Sequence, residues 1–455
     1  MFGKKKGTIF RVTGLRAERS GEDLNMVLRA IIIKNLSDDE RQHRFTTAIV
    51  PSPNDEQQRV ALVEFFDGVP GFLHGLVADP LKEWQTEGGH DDLNFDQHFF
   101  GFTQLYTPDH STRTTADIIA ITDLDMHAYE SWRGNGPLGR MWLRDFLSKD
   151  LPHCRTMIYG YNSLSSSHGT SKIIDYGREL MEELKKVRST EEARQRPLYF
   201  VAHGFGGIIL AHCLIKAIQT NEDDHPTIAS LHRATYGMLL FGVPHKGLVV
   251  DDYQKMLGVK LNHPRSALLQ EIGGKSDVLA YQLVDFKNLI RDRKIISFYE
   301  TQLTRHLEFN SNTKCWERTD PRVMVVNPDS AVLQLPDSME EKLPVDGDHY
   351  TIVKFDSKTS KTYTSVLEKL RQFEKDAPRV VATRFSASVS PITIQFQANP
   401  GSAVRNDVIA RIRDNNEAAR SNRRQVPLIG YEPKNNEQHR HEPRIRYEAV
   451  PSQKT

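Results

Sequence analysis

The segment that decides the fold is Leu198–Ile209, which reads LYFVAHGFGGII. A short apolar run ends at His203, a glycine-containing turn follows, and the apolar pattern resumes with helical length through Gln219. This pattern predicts a buried strand, a tight turn and a buried helix. Gly204 lies at the centre of the turn and has no side chain, so the turn presents bare backbone.

Strands and helices alternate on both sides of this segment. The predicted strands of the domain are Ala116–Thr122, Thr156–Tyr161, Leu198–His203, Tyr236–Val243, Lys294–Glu300 and Val323–Val326, with Phe95–Tyr106 as an opening strand or hairpin. Crossover helices between the strands predict a mainly parallel sheet covered on both faces. Residues 248–292 are a largely helical insertion. We therefore expect a doubly wound α/β domain over residues 93–378.

Residues 1–92 have a different order of elements, β-α-β-β-α-β. This is the order of the ferredoxin-like split βαβ fold. The segment Val60–Phe65 (VALVEF) resembles the conserved strand of an RNA-recognition motif. RNA binding by such a sheet depends on aromatic stacking, and the two stacking positions fall on Val60 and Leu62, which leaves Phe10 as the platform residue. We expect a packing or protein-binding module and no nucleic-acid partner.

The composition excludes several classes of protein. The chain has 455 residues, and its 60 Lys and Arg against 59 Asp and Glu argue against a whole-chain affinity for nucleic acid or acidic membranes. Three widely separated cysteines are typical of a reduced intracellular protein. The first residues lack the apolar core of a secretory signal, and no apolar run approaches the roughly 18 residues of a membrane span. We expect a cytoplasmic protein.

Residues 379–455 are polar and rich in Arg and Asn. Such a segment cannot bury enough apolar surface to offset the entropy of ordering, so we predict a disordered tail. Its cluster Gln438–His441 contains two histidines without the spacing of a metal site, and we expect it to be solvated.

Several motifs in order carry a resemblance to a known family. They are DIIAITDLDMHAYESW from Asp117, PLYFVAHGFGGIILAHCLIKA from Pro197, GMLLFGVPHKG from Gly237 and DGDHYTIVKF from Asp346. Together they resemble the lipase-like α/β-hydrolase domain of fungal proteins that often precedes NACHT, ankyrin or TPR segments, and they are similar to the serine-active-site lipase-like family. The resemblance covers about residues 95–378. It implies hydrolysis of esters or lipids by a Ser–acid–His triad, without a bound cofactor or metal.

The resemblance assigns the triad positions. The nucleophile position falls on Gly204, the acid on Glu300 at the end of a strand, and the histidine on His349, which gives the chain order that the fold requires. Asp346 and Asp348 flank His349 and remain alternatives to Glu300 as the residue that orients it.

The oxyanion loop of the family usually reads HGLxG, and here it reads Thr122-Asp123-Leu124-Asp125-Met126. Asp123 and Met126 therefore occupy the two glycine positions, and the residue after the elbow, Phe205, supplies the second backbone amide. An oxyanion hole needs N–H donors aimed at developing negative charge, so an inward-facing Asp123 carboxylate would oppose catalysis. Asp123, Asp125 and His127 are metal-ligand types, but their place in this loop favours no metal.

Glycine has no hydroxyl to attack a carbonyl carbon, so we expect a catalytically degenerate domain that acts as a binding or sensing module. The alternative is an active esterase or lipase whose nucleophile has moved to the serine-rich loop Ser163–Ser167, or which uses a water activated by His349. We expect Trp132, Trp142 and the insertion to wall an apolar pocket for a lipid or acyl ester. A protein partner would bind through the N-terminal module.

Overall fold

A computed structural model describes residues 6–88, 92–109, 113–163, 169–257, 263–311 and 315–387. The strands are β1 Thr8–Arg16, β2 Phe45–Pro51, β3 Gln58–Phe65, β4 Glu83–Glu87, β5 Asp92–Asp96, β6 Gly101–Gln104, β7 Ala116–Ile121, β8 Cys154–Gly160, β9 Leu198–His203, β10 Thr235–Phe241, β11 Lys294–Glu300, β12 Thr304–Asn310, β13 Cys315–Val323 and β14 Glu340–Val345. The helices are α1 Gly21–Asn35, α2 His74–Ala78, α3 Trp142–Asp145, α4 Leu147–Asp150, α5 Ile173–Val187, α6 Glu191–Gln195, α7 Phe205–Ile218, α8 Pro226–Ala234, α9 Asp251–Leu257, α10 Ser266–Ile272, α11 Asp277–Leu289, α12 Pro328–Ala331 and α13 Lys361–Ala387.

The large sheet has seven strands in the order β14-β11-β10-β9-β7-β8-β6. All neighbours in it are parallel except the edge strand β6, which pairs antiparallel with β8. The sheet order steps outward from β9 in both directions, and the strand–elbow–helix unit β9–α7 lies at the centre. This topology is that of an α/β-hydrolase, as the sequence predicts.

Apolar layers cover both faces of the large sheet. Within β9, Leu198, Phe200 and Ala202 belong to one core, together with residues of α5, α7 and α8. Tyr199 and Val201 point the other way into a second core, built with residues of α3, α4 and α13. Strands buried on both faces read as continuous apolar runs, which is why the sequence locates most of this sheet correctly.

The predicted pocket walls lie elsewhere. Trp132 and Trp142 are fully buried in the second core, where the Trp142 ring is 4.9 Å from that of Phe355. The elbow residue Phe205 belongs to the first core instead, so the expectation that the two tryptophans wall a ligand pocket is wrong. The predicted helical insertion is present as α9, α10 and α11.

The N-terminal sheet has five strands in the order β2-β3-β1-β5-β4, and α1 packs against one face. The segment Phe95–Tyr106, predicted to open the second domain, divides between the two sheets. Its first residues belong to β5, which lies between β1 and β4 in the first sheet and pairs with both. Strand β6 of the large sheet begins only at Gly101. Asp96, the last residue of β5, forms a buried ion pair of 2.7 Å with Arg11 of β1, which ties the end of β5 to the first sheet.

The two faces of this small sheet have different partners. Phe10, the predicted platform residue, lies in the core beneath α1, with Leu28 and Ile32. Ile9 and Leu62 lie on the opposite face and belong to the core of the large domain. The face that would stack bases in an RNA-recognition motif is therefore covered by the rest of the chain.

Buried polar contacts join the two sheets within one compact unit. Arg133 donates to the carbonyl oxygen of Gly7 at 2.9 Å and to Glu64 at 2.7 Å. Arg11 donates to the hydroxyl of Thr103 at 3.0 Å. These groups are buried and paired, as buried charges must be.

The predicted last strand of the large sheet and the predicted end of the final helix differ from the structure. The last strand of the large sheet is β14, and residues 323–326 lie outside it. The final helix continues through Pro378 to Ala387, because Phe373, Ala377 and Val381 continue its buried face. The predicted tail therefore begins later than residue 379. Residues 388–455, including Gln438–His441, lie outside the described residues.

No helix in the part of the chain that the structure describes is both long and apolar enough to cross a membrane.

Candidate active site

The elbow lies between β9 and α7. Gly204 has φ 51° and ψ −125°, a conformation that side-chain-bearing residues adopt only under strain. Its N–H donates to the carbonyl oxygen of Phe241 at 3.0 Å, which ties the elbow to β10. A Cβ on Gly206 would approach the carbonyl oxygen of Thr122 to 2.5 Å, so this second glycine allows the helix to approach β7 closely.

A carboxylate occupies the space where a nucleophilic side chain would stand. A Cβ placed on Gly204 would overlap the carboxylate of Asp123. Asp123 lies two residues after the end of β7 and is buried. Its side chain points inward, and in this orientation its negative charge would oppose the charge of an oxyanion. Its Oδ1 accepts a hydrogen bond of 2.6 Å from the N–H of Phe205. That amide is the oxyanion donor of the fold, and here a side chain of the same chain already uses it.

The same carboxylate binds the predicted catalytic histidine. His349 Nε2 lies 2.9 Å from Asp123 Oδ2, and both side chains are buried. An ionised carboxylate only accepts hydrogen bonds, so the proton is on Nε2. Burial alone would lower the pKa of His349, but the hydrogen bond and charge of Asp123 raise it above the usual value. Burial alone would raise the pKa of Asp123, but His349 holds it below the usual value. The pair therefore favours a protonated imidazole and a carboxylate.

Glu300 lies at the end of β11, on the other side of the imidazole. Its Oε2 is 3.8 Å from His349 Nδ1, which is too long for a hydrogen bond. Its Oε1 accepts from the N–H of Val326 at 2.7 Å. Burial raises the pKa of Glu300 to about 7. The predicted acid thus faces the histidine, while the imidazole donates its hydrogen bond to Asp123.

The two alternative acids make contacts away from the imidazole. Asp346 is exposed and accepts from the side chain of Gln302 at 2.8 Å. Asp348 Oδ1 accepts from the N–H of Thr351 at 2.9 Å, within its own turn. Of the three candidate carboxylates, Glu300 has the geometry that fits the orienting position.

His203 and the turn after β10 hold the histidine in place. His203 Nε2 lies 2.8 Å from the backbone oxygen of His349, and burial lowers its pKa to about 4, so the neutral ring donates this bond. In the turn after β10, Gly242 has φ 51°, and a Cβ there would lie 3.2 Å from His349 Nδ1. Both positions therefore pack against His349 and fix where it lies.

The next two residues of the loop border a small cavity. Leu124 and Asp125 line a cavity of about 10 Å³, roughly the space of one water molecule. Ser163 of the predicted serine loop accepts a hydrogen bond of 2.9 Å from the N–H of Asp125. The rest of that loop, residues 164–167, lies outside the described residues. A much larger groove borders Thr115 and Pro197, at the opposite ends of β7 and β9.

A polar hairpin that the sequence analysis does not predict lies beside the site. Strands β12 and β13 pair antiparallel after Glu300, and the guanidinium of Arg318 lies 3.7 Å from the ring centroid of Tyr350. His306 of the hairpin contacts Asp252 of α9 at 2.6 Å. The hairpin and the insertion are thereby joined next to the residue that follows His349.

No family model matches the chain. Protein SERAC1 of Danio rerio is 26% identical over 312 residues, which cover 67% of this chain and 38% of that protein. Protein SERAC1 of Bos taurus is 23% identical over 312 residues, with 66% and 38% covered. The chain thus spans 38% of the length of these curated relatives.

Solved structures similar to the chain include lipases. A soluble variant of monoglyceride lipase from Saccharomyces cerevisiae is 13% identical, covers 65% of this chain and 95% of that chain, and has a TM-score of 0.34. Phospholipase PlaB from Legionella pneumophila is 10% identical, covers 61% and 66%, and has a TM-score of 0.37. The fold assignment rests on the strand order and the elbow of this chain.

Proposed function

We propose that this α/β-hydrolase-fold protein does not hydrolyse esters through an acyl-enzyme and acts instead as a binding or sensing module. The observation that carries the proposal is the position of Asp123. Its carboxylate fills the space above Gly204 and uses both groups that a reacting ester would need, the Phe205 amide and His349 Nε2.

The chemistry of acyl transfer explains why this arrangement is inert. A triad histidine must accept the proton of the nucleophile, and the oxyanion must find free N–H donors. Here the elbow has no hydroxyl, Nε2 already carries a proton, and the negative charge of Asp123 lies where the oxyanion would form. An ester carbonyl would have to displace a buried ion pair to reach the elbow, at a cost of several kcal/mol.

The experiment measures turnover of p-nitrophenyl butyrate and octanoate by the full chain, together with labelling by a fluorophosphonate probe. We expect turnover at the level of the blank and no label. Turnover that His349→Ala abolishes would contradict the proposal, provided that the exposed-residue control His74→Ala retains it. A label mapped to Ser163–Ser167 would instead support the active esterase with a displaced nucleophile.

The ligand class, partner and location belong to the same proposal. The similarity to SERAC1 and the hydrolase fold favour a lipid or acyl ligand, which would require α9 or the β12–β13 hairpin to move, since the cavity beside Leu124 holds about one water. A protein partner would bind the N-terminal module at an edge strand, because α1 covers one face of its sheet and the rest of the chain covers the other. A cytoplasmic location and a relationship to the fungal receptor domains complete the proposal.

A further inference from the structure

Three buried side chains of metal-ligand type converge at the elbow. Asp123 follows β7, His203 ends β9, and His349 follows β14. One ligand atom from each lies within 4.8 Å of the other two, and none of the three residues is more than 3% exposed. We infer that these three residues bind a divalent transition-metal ion, and we take Zn²⁺ as its representative.

The hydrogen bonding of His203 leaves one of its ring nitrogens available for a metal ion. Its Nε2–H donates to the backbone oxygen of His349 at 2.8 Å, while Nδ1 is buried and has no hydrogen-bond partner among the described residues. A metal-binding histidine typically donates its second ring N–H to a carbonyl or carboxylate, which fixes the tautomer and leaves the other nitrogen for the ion. His203 already has this arrangement without a metal.

His349 presents its nitrogens in the matching way. Nε2 faces Asp123 Oδ2 at 2.9 Å, and Nδ1 faces the carboxylate of Glu300 at 3.8 Å. A metal ion would replace the proton between Nε2 and Oδ2, and Glu300 would stand behind the ring as an outer carboxylate. Asp123 Oδ1 would keep its hydrogen bond from Phe205, so that Asp123 would bind the ion through one oxygen.

The spacing requires a small adjustment. Bonds of about 2.0–2.2 Å place the ligand atoms of a tetrahedral ion roughly 3.0–3.5 Å apart. The Asp123–His349 pair, at 2.9 Å, is near that separation, and the ring of His203, whose ligand atom lies within 4.8 Å of the other two, would move toward the ion. Gly204 places no side chain between these groups.

The donor set decides the class of ion. Two imidazole nitrogens and one carboxylate oxygen suit Zn²⁺ and its first-row neighbours, whereas Mg²⁺ and Ca²⁺ prefer oxygen ligands throughout. Three protein ligands leave a fourth position open for water or another small ligand. The inference does not rest on the proposed function, because it concerns metal binding and not turnover.

The test uses the full chain, freed of metal by a chelator and titrated with Zn²⁺ against a chromophoric competitor. We expect one Zn²⁺ per chain, and at least tenfold weaker binding in Asp123→Asn and in His203→Gln. His245→Gln removes a buried histidine outside the site and should bind like the wild type. His439→Ala/His441→Ala removes the histidines of the C-terminal segment and should also retain the ion.

Failure of the inference is separate from failure of the proposed function. No Zn²⁺ uptake by the wild type, or unchanged binding in His203→Gln, would overturn the metal site whatever the esterase assay gives. If the ligand variants do not fold, X-ray absorption at the zinc edge of the Zn²⁺-loaded His439→Ala/His441→Ala chain decides. Two imidazoles and a carboxylate support the site, and any other ligand set contradicts it.

Discussion

Gly204 and Asp123 share one space at the elbow. The glycine leaves room for the carboxylate. The carboxylate in turn accepts hydrogen bonds from the Phe205 amide and the His349 imidazole, which a nucleophile and its substrate would otherwise occupy. The sequence indicates each departure separately, one at the nucleophile position and one in the oxyanion loop. Their direct contact depends on the inward rotamer of Asp123, which residue type alone does not specify.

This contact predicts a coupled effect of two substitutions. Gly204→Ser should destabilise the chain by about 1–3 kcal/mol, because the new Cβ overlaps Asp123 at a strained backbone position. Adding Asp123→Gly should recover part of that loss, with a coupling energy of about 0.5–3 kcal/mol. Urea unfolding of the four proteins of the cycle measures it. Gly75→Ser, where a Cβ meets nothing within 4 Å, is the matched control. Additive effects would show that the two positions do not compete for space.

A second residue-scale prediction concerns His245, in the turn after β10. Burial lowers its pKa to about 3, so the folded ring stays neutral while the unfolded ring takes up a proton near pH 6.5. The unfolded state therefore binds more protons as the pH falls, and this group removes about 1 kcal/mol of stability between pH 7 and pH 5.5.

In His245→Gln that part of the pH dependence should disappear, as read from the free energy of unfolding at the two pH values. Exposed His74→Gln should keep it. An equal pH dependence in wild type and His245→Gln would mean that His245 is protonated in the folded state.

At the scale of elements, the buried parallel strands are the part that the sequence predicts well. Strand β9 and its neighbours are continuous apolar runs, and the periodic helices between them fix the topology. Strand β14 reads EEKLPV and is missed, since it is an edge strand with charged residues and a proline. The β12–β13 hairpin is missed for a similar reason, because most residues of β12 are polar and Thr304 alone in that strand is buried.

Helix α13 illustrates how packing overrides a local signal. Pro378 normally ends a helix, since it cannot donate to the carbonyl four residues earlier. Here the buried residues Phe373, Ala377 and Val381 hold the helix against the sheet on both sides of it.

Because Pro378 is exposed, its replacement by alanine loses no packing and restores the missing donor. We expect Pro378→Ala to stabilise the chain by on the order of 1 kcal/mol, seen as a higher midpoint of thermal unfolding. The exposed Lys375→Ala in the same helix should change stability by less than about 0.5 kcal/mol. An unchanged or lower midpoint for Pro378→Ala would show that the helix gains nothing from the extra hydrogen bond.

At the scale of the whole molecule, the two sheets depend on each other through Arg133. Its guanidinium is buried and joins Glu64 and the Gly7 carbonyl of the first sheet to the loop that carries it. Arg133→Met should cost about 3–5 kcal/mol, because the buried Glu64 would lose its charged partner and keep only the hydrogen bond from the N–H of Gly7. Arg113→Met removes an exposed ion pair with Glu192 and should cost at most about 1 kcal/mol. Denaturant unfolding compares them, and similar losses would mean that Arg133 does not bind the sheets together.

The covered face of the first sheet affects how this region can be studied. A fragment ending near residue 92 would expose Ile9 and Leu62 to water, would leave Arg11 without Asp96, and would lack most of β5. Such a fragment would expose an apolar surface that is buried in the intact chain. Any nucleic acid or protein that the fragment bound could be binding this newly exposed surface, whereas in the described part of the intact chain both faces of the first sheet are covered.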